Sequence, residues 1–336
     1  MVSFCVGARR TGSLLPLCLA VAALGCTALI VKPAAADVVV TSSTDKHVKI
    51  WNPLDGSLIK DITASDAAVN AIAVSHDGKL IASGGVDKKI HIWKLEDGSL
   101  VKEFAAHDGV VTSLFFTVDD KELLSGGADK KMILWKTSDW SKEKSIDAHE
   151  GSLVGVYAIP DMLISGGADG KIKIWSIGGD MQFEIPTEHE GGLTAMSGNP
   201  SQQMLYTGGK DGKLKFWSAG ATGEFDGLQG SAVNAIYTLR DGKRILTGGA
   251  DGKIKIWDAD THKIISTIDD AHTGGVTALS AVPDGHLLIS GGADKKIKVW
   301  SNDGKLVHSM DAHEGTITAI IYYMDKIEKP KEEKAK

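Results

Sequence analysis

Beyond residue 26 the chain has no cysteine; its three are Cys5, Cys18 and Cys26. Everything after residue 36 therefore lacks a disulfide, a thiolate nucleophile, a cysteine metal site and a covalent haem attachment motif. No Gly-x-Gly-x-x-Gly stands at a strand–helix junction, because the glycine pairs here lead into strands, and a phosphate loop of that kind is not expected. Calcium loops are missing too. The Asp-Gly pairs at Asp77, Asp241, Asp284 and Asp303 stand alone in turns, without the flanking ligand series that calcium needs. Nor is there an excess of positive charge, since 37 Lys and Arg face 43 Asp and Glu. Three of those bases (Arg9, Arg10 and Lys32) and none of the acids fall in the first 36 residues, so the remainder is more acidic still. Nucleic acid is accordingly not expected as a partner.

The N-terminus reads as a targeting segment. Arg9 and Arg10 precede an apolar run from Leu14 to Val31, which ends in Lys32-Pro33-Ala34-Ala35-Ala36. A basic region, an apolar region and a small-residue terminus describe a secretory signal peptide over 1–36, cleaved before Asp37. Three alternatives stay open. Ala23-Leu24-Gly25-Cys26 is a degenerate lipoprotein box, the apolar run approaches the ~20 residues that span a bilayer, and the arginine pair suggests twin-arginine export. Localisation is expected to be periplasmic or secreted, with membrane anchoring through the N-terminus as the alternative.

What is abundant after residue 36 is repetition. Ser165-Gly-Gly-Ala-Asp169-Gly-Lys-Ile-Lys-Ile-Trp175 recurs in seven copies ending at Trp51, Trp93, Trp135, Trp175, Trp217, Trp257 and Trp300, spaced 42, 42, 40, 42, 40 and 43 residues apart. A period of about 40–45 residues marks a β-propeller of four-stranded blades. The Gly-Gly-x-Asp-(Gly or Lys)-Lys core is expected to form a tight turn tolerating positive φ. The alternating run after it reads as a strand apolar on both faces. The first copy lacks the strand that should precede it, and an orphan strand, Thr316–Tyr323, follows the last. The expected fold is all-β: a seven-bladed propeller over 37–323, closed by pairing the C-terminal strand with the N-terminal blade. Residues 324–336 are Lys/Glu-rich, with a proline and no apolar periodicity, and read as a disordered tail.

These motifs resemble the WD-repeat family, although only Trp257-Asp258 spells the dipeptide. Five copies carry a histidine, a hydroxyl residue, an aspartate and the tryptophan: His107, Ser125, Asp129, Trp135; His149, Ser165, Asp169, Trp175; His189, Thr207, Asp211, Trp217; His272, Ser290, Asp294, Trp300; and, across the chain ends, His313, Thr41, Asp45, Trp51. Ser, His and Asp are the ingredients of a hydrolase triad. Recurrence in five blades argues for structure instead, and the resemblance implies buried networks from Asp through His and the hydroxyl to the Trp N–H. Ser65 and Gln229 stand at the His position of the other two blades, which are expected to be the least rigid. No catalytic, cofactor or metal residue is assigned.

Lysines ring the turns at Lys46, Lys88, Lys130, Lys171, Lys213, Lys253 and Lys295, and acids on the D–A loops (Asp66, Asp108, Glu150, Glu190, Asp270 and Glu314) are expected to neutralise them. In WD-repeat propellers three positions per blade often contact partners on the narrow face. One set here is Asn70, Thr112, Val154, Thr194, Asn234, Thr277 and Thr318; none of the twenty-one positions is aromatic or arginine, the residues that dominate interface hot spots. Trp140, the tryptophan outside the repeat position, is expected in a C–D turn, either exposed as a partner contact or folded onto its own blade. The family resemblance implies a rigid scaffold for unidentified protein partners, with no cofactor. The alternative is a lactonase-like or quinoprotein-like enzyme, or a small-ligand binder, using the central channel.

Overall fold

A computed structural model describes residues 37–324 apart from 200–202, 219–220, 226 and 228. The expected leader and all but the first residue of the expected tail lie outside the described residues. Among the described residues the chain forms 28 strands and no helix. Blade 1 holds β1 (Val38–Ser43), β2 (His47–Trp51) and β3 (Leu58–Thr63), and blade 2 holds β4 (Val69–Val74), β5 (Leu80–Gly85), β6 (Lys89–Lys94) and β7 (Leu100–Ala105). Blade 3 is β8 (Val111–Phe116), β9 (Glu122–Gly127), β10 (Lys131–Lys136) and β11 (Lys142–Asp147). Blade 4 is β12 (Leu153–Ile159), β13 (Met162–Gly167), β14 (Lys171–Ser176) and β15 (Met181–Pro186). Blade 5 is β16 (Leu193–Asn199), β17 (Met204–Gly209), β18 (Leu214–Trp217) and β19 (Thr222–Glu224). Blade 6 is β20 (Val233–Thr238), β21 (Arg244–Gly249), β22 (Ile254–Asp258) and β23 (Ile264–Ile268). Blade 7 is β24 (Val276–Ala281), β25 (Leu287–Gly292), β26 (Lys296–Ser301) and β27 (Leu306–Asp311), and β28 (Ile317–Tyr323) ends the chain.

Each blade is an antiparallel sheet, and the first has the order β28-β1-β2-β3. The orphan strand thus closes the ring as expected, with Val38 opposite Tyr323 and Thr41 opposite Ile320. Calling the strands of each blade A to D from the channel outward, the D–A loops and B–C turns share one end and the A–B and C–D turns the other. Closure matters because an open ring would leave unpaired sheet edges.

Hydrophobic burial works between blades as well as within them. Val40 and Ile50 of blade 1 pack with Val69, Ile72, Ile81 and Trp93 of blade 2, and Ile90 and Ile92 of blade 2 pack with Leu114, Leu123 and Trp135 of blade 3. Each repeat tryptophan is therefore a wedge against the preceding blade.

The turn takes its positive φ as expected, on the residue after the turn Asp, such as Lys46 (80°), Lys88 (65°), Lys130 (72°) or Gly170 (79°), while none of the glycine pairs has positive φ. The pair instead makes room. A Cβ on Gly126 would press on Leu153 of the next blade, and one on Gly209 would lie 2.5 Å from both His189 and Asp211. The motif needs two glycines because the strand is squeezed by the neighbouring blade on one side and by the His–Asp pair on the other.

Candidate functional site: the repeated polar networks and the channel

In blade 3 the Trp135 indole N–H donates to Ser125 Oγ at 2.9 Å, His107 Nε2 lies 2.8 Å from the same oxygen, and His107 Nδ1 lies 2.9 Å from Asp129. Blade 4 repeats the chain with Trp175, Ser165, His149 and Asp169 at 2.9, 2.8 and 3.0 Å. Blade 5 uses Trp217, Thr207, His189 and Asp211 at 2.9, 3.0 and 3.1 Å. Blade 7 uses Trp300, Ser290, His272 and Asp294 at 2.8, 2.7 and 2.8 Å. Across the closure, Trp51 donates to Thr41 at 2.9 Å, and His313 lies 2.8 Å from both Thr41 and Asp45. The structure brings together all twenty residues that the sequence grouped.

Burial lowers the pKa of each of these five histidines, against the pull of its aspartate. The imidazoles are therefore neutral at pH 7. The carboxylate orients the proton onto Nδ1, so Nε2 accepts from the hydroxyl, which in turn accepts from the tryptophan. This is the hydrogen-bond order of a hydrolase triad, but Ser125, Ser165 and Ser290 are fully buried. A substrate carbonyl has no route to those oxygens, and the indole N–H already occupies a lone pair. A backbone N–H also binds each carboxylate, as Asp108 does to Asp129 and Glu314 to Asp45, which ties the D–A loop to the B–C turn.

Of the two blades without the histidine, blade 2 rebuilds the network and blade 6 rebuilds only part of it. In blade 2, Ser65 and His91 Nε2 both meet Asp87 at 2.7 Å, and His91 stacks on Trp93. In blade 6, Thr247 donates to Gln229 Oε1, and Gln229 Nε2 donates to the Lys253 carbonyl at 3.1 Å. Gln229 stops short of Asp251. Among the described residues Asp251 is thus the B–C turn aspartate whose carboxylate meets no side chain; it accepts the Lys253 backbone N–H. Beside it opens a cleft of about 520 Å³ lined by Gln229, Gly230, Asp251, Lys253, Lys255, Thr267 and Asp269.

Three of the seven turn lysines pair with acids other than the expected ones: Lys171 with Glu184 and Lys213 with Glu224 on outer strands, and Lys253 with Asp269 just past the end of one. These lysines stand two places after the turn Asp, at or just before the start of strand C, so their side chains reach across toward strand D.

The central channel is lined by Asn70, Thr112, Val154, Thr194, Asn234, Thr277 and Thr318 with their strand-A neighbours, around a cavity of about 250 Å³. No lining residue is ionisable. Several hydroxyls bond the next blade: Thr194 donates to the Val233 carbonyl at 2.6 Å and Thr318 to that of Val69 at 2.7 Å. These positions therefore stitch strand A to strand A. Asn70 Oδ1 is buried without a hydrogen-bond partner. Among the described residues no group of three or more His, Cys, Asp or Glu is placed to hold a metal.

Trp140 sits in the expected C–D turn, with φ 63°, but it is half-buried and stacks on Phe104 of blade 2 at 6.2 Å. It is neither freely exposed nor folded on its own blade. The equivalent Gly98 lies against Ile62 of blade 1, so this turn position rests on the preceding blade's outer strand. Sequence reasoning missed the aromatic that is exposed among the described residues: Phe183, at 62%. Its signal was an outer strand with one charged residue, Met181-Gln182-Phe183-Glu184-Ile185.

The family model for the WD domain, G-beta repeat, matches residues 56–94, 98–136, 140–176, 182–218, 222–258 and 263–301. The chain belongs to the WD-repeat family. Each matched WD repeat straddles two blades, joining the outer strand of one to the inner three of the next, and the split seventh copy is the one that closes the ring. Among solved structures, the crystal structure of the computationally designed Ika8 protein is similar, with a TM-score of 0.67 and 25% identity over 87% of this chain and 91% of that one. No curated protein matches the chain. WD-repeat propellers commonly serve as protein-interaction scaffolds.

Proposed function

We propose that this propeller is exported and acts, without chemistry of its own, as a rigid scaffold for a protein partner. The observation that carries this reading is the fate of the repeated His, hydroxyl and Asp side chains, which are sealed into structural networks. The channel, which a propeller enzyme would use, has no ionisable side chain in its lining. Export rests on the basic and apolar leader ending in Ala34-Ala35-Ala36, with cleavage before Asp37 into the periplasm or medium. The end carrying the B–C turns is nearly seven-fold and poor in hot-spot residues, so a partner finds its distinguishing feature at blade 6. There Asp251, released from its network, offers a carboxylate to a basic side chain beside the open cleft.

Two measurements test this. Mass spectrometry of the native protein is expected to find a chain starting at Asp37; an intact Met1 or a lipidated Cys26 overturns the export route. The wild-type chain and Asp251→Ala are compared for capture from the exported fraction. A protein retained by the wild type and lost by the variant, with unchanged melting, supports the scaffold reading at blade 6. Equal capture places the contact elsewhere.

A further inference from the structure

The outer strand of a blade is a sheet edge, and β15 pairs with β14 on one side and with no strand on the other. Edges left bare invite pairing, and charged side chains are the usual guard. Strand β3 carries Lys60 and Asp61, β7 carries Lys102 and Glu103, and β11 carries Lys142, Glu143 and Lys144. Strand β23 (Ile264–Ile268) has no charge but is centred on Ser266, and β15 has Glu184 alone, held by Lys171 at 2.7 Å and Lys173 at 3.4 Å. Met181 is 52% exposed, and Phe183 is the one aromatic among the exposed large hydrophobic residues. Its face of the sheet is also poorly covered. Ile174, opposite Phe183, is half-buried, whereas its equivalents Ile50, Ile92 and Ile256 are buried.

Opposing pairs in an antiparallel ladder alternate between hydrogen-bonded and non-bonded. A two-fold axis relating two such strands must therefore pass through a residue that faces its own copy. On β3 or β7 the central choice is a lysine or an acid, and like charges would meet. On β15 it is Phe183. An antiparallel copy then sets Phe183 against Phe183, Met181 against Ile185, and Gln182 against Glu184. The five residues alternate apolar and polar identically in both directions, and no like charges oppose.

We infer that β15 is a self-association edge, through which two copies of this chain join their blade 4 sheets about a two-fold axis at Phe183. Such an isologous interface closes on itself and makes a dimer rather than a fibre. Pro186 ends the strand and limits the shared ladder to these residues.

The test is the mass of the full chain in solution by light scattering across a dilution series. The wild type is expected to move from monomer to twice the monomer mass as concentration rises. Phe183→Lys gives β15 the central charge of its neighbours and should remain monomeric, while Ile265→Lys on β23 should still dimerise. A wild type that stays monomeric, a Phe183→Lys that dimerises, or equal loss in both variants overturns the proposal. Should Phe183→Lys melt early, hydrogen exchange of the wild type decides. Amides of β15 must slow as concentration rises, and concentration-independent exchange there refutes the edge.

Discussion

His313 and Asp45 lie 2.8 Å apart although 268 residues separate them in the chain. The bond is the same one that other blades make over about twenty residues, as His149 and Asp169 do. Ring closure thus uses a repeat unit cut in two, with Thr41, Asp45 and Trp51 from one end and His313 from the other. Backbone pairing reinforces it, and Tyr322 Oη donates to Asp37 at 2.6 Å at the far end of the same seam.

Truncation should expose this dependence. Ending the chain before His313 removes β28 and the closing network together, and the melting temperature is expected to fall sharply for the whole domain. Ending it after Asp325 should leave melting unchanged. Calorimetry distinguishes the two, and similar melting of both truncations would contradict the closure.

Acid should weaken the fold in two stages. Burial holds His107, His149, His189, His272 and His313 below their ordinary 6.5. Burial pushes the turn carboxyls of Asp45, Asp129, Asp169 and Asp211 up, but N–H donors and the imidazoles outweigh it and leave them below 3.8. In both cases the unfolded chain binds more protons than the folded one, so stability rises with pH. The histidine contribution is complete above 6.5 and fades as pH falls through the folded values; the aspartate contribution fades below 3.8. Urea unfolding at a series of pH values checks the sign. His149→Ala should cost about 1–3 kcal/mol near neutrality and flatten the first stage.

The two histidine-free blades should respond oppositely to restoration. Gln229→His can reach Asp251, which meets no side chain, and is expected to stabilise by about 0.5–1.5 kcal/mol. Ser65→His meets an aspartate already bound by His91 and should not stabilise. Equal gains in both variants, read by urea unfolding, would refute this account.

Trp140 weighs backbone against side chain. Holding a non-glycine residue at φ 63° costs about 1–2 kcal/mol. Its stacking on Phe104 returns about 0.5–1.5 kcal/mol beyond area burial. Trp140→Gly relieves the first and loses the second, so its stability should stay within about 1 kcal/mol of wild type. Trp140→Ala keeps the strain without the ring and should be the least stable of the three. An alanine variant as stable as the glycine one would remove the strain argument.

The ring itself was legible because seven tryptophans at a near-constant period leave few architectures, and the unmatched strand at each end dictated the seam. The networks were legible for the same reason, since repetition groups residues that spacing alone would not. What did not show was anything decided by the neighbouring blade. Why two glycines precede the turn did not show, because the blade pressing on Gly126 is not visible along the chain. Trp140 was read as exposed or as folded on its own blade because its support, Phe104, belongs to the repeat before. His91 stands where most repeats have lysine, and nothing local says that it serves Asp87.

The seam also sets a schedule. Strand β28 is the last described strand in the chain, yet it is the inner strand of the first blade. Until it is synthesised, β1 waits with one side unpaired and the ring stays open. A chain built this way carries its own delay: the first blade is not completed until the final strand arrives. A propeller that had to cross a membrane before folding would be served by keeping its last stitch at its tail.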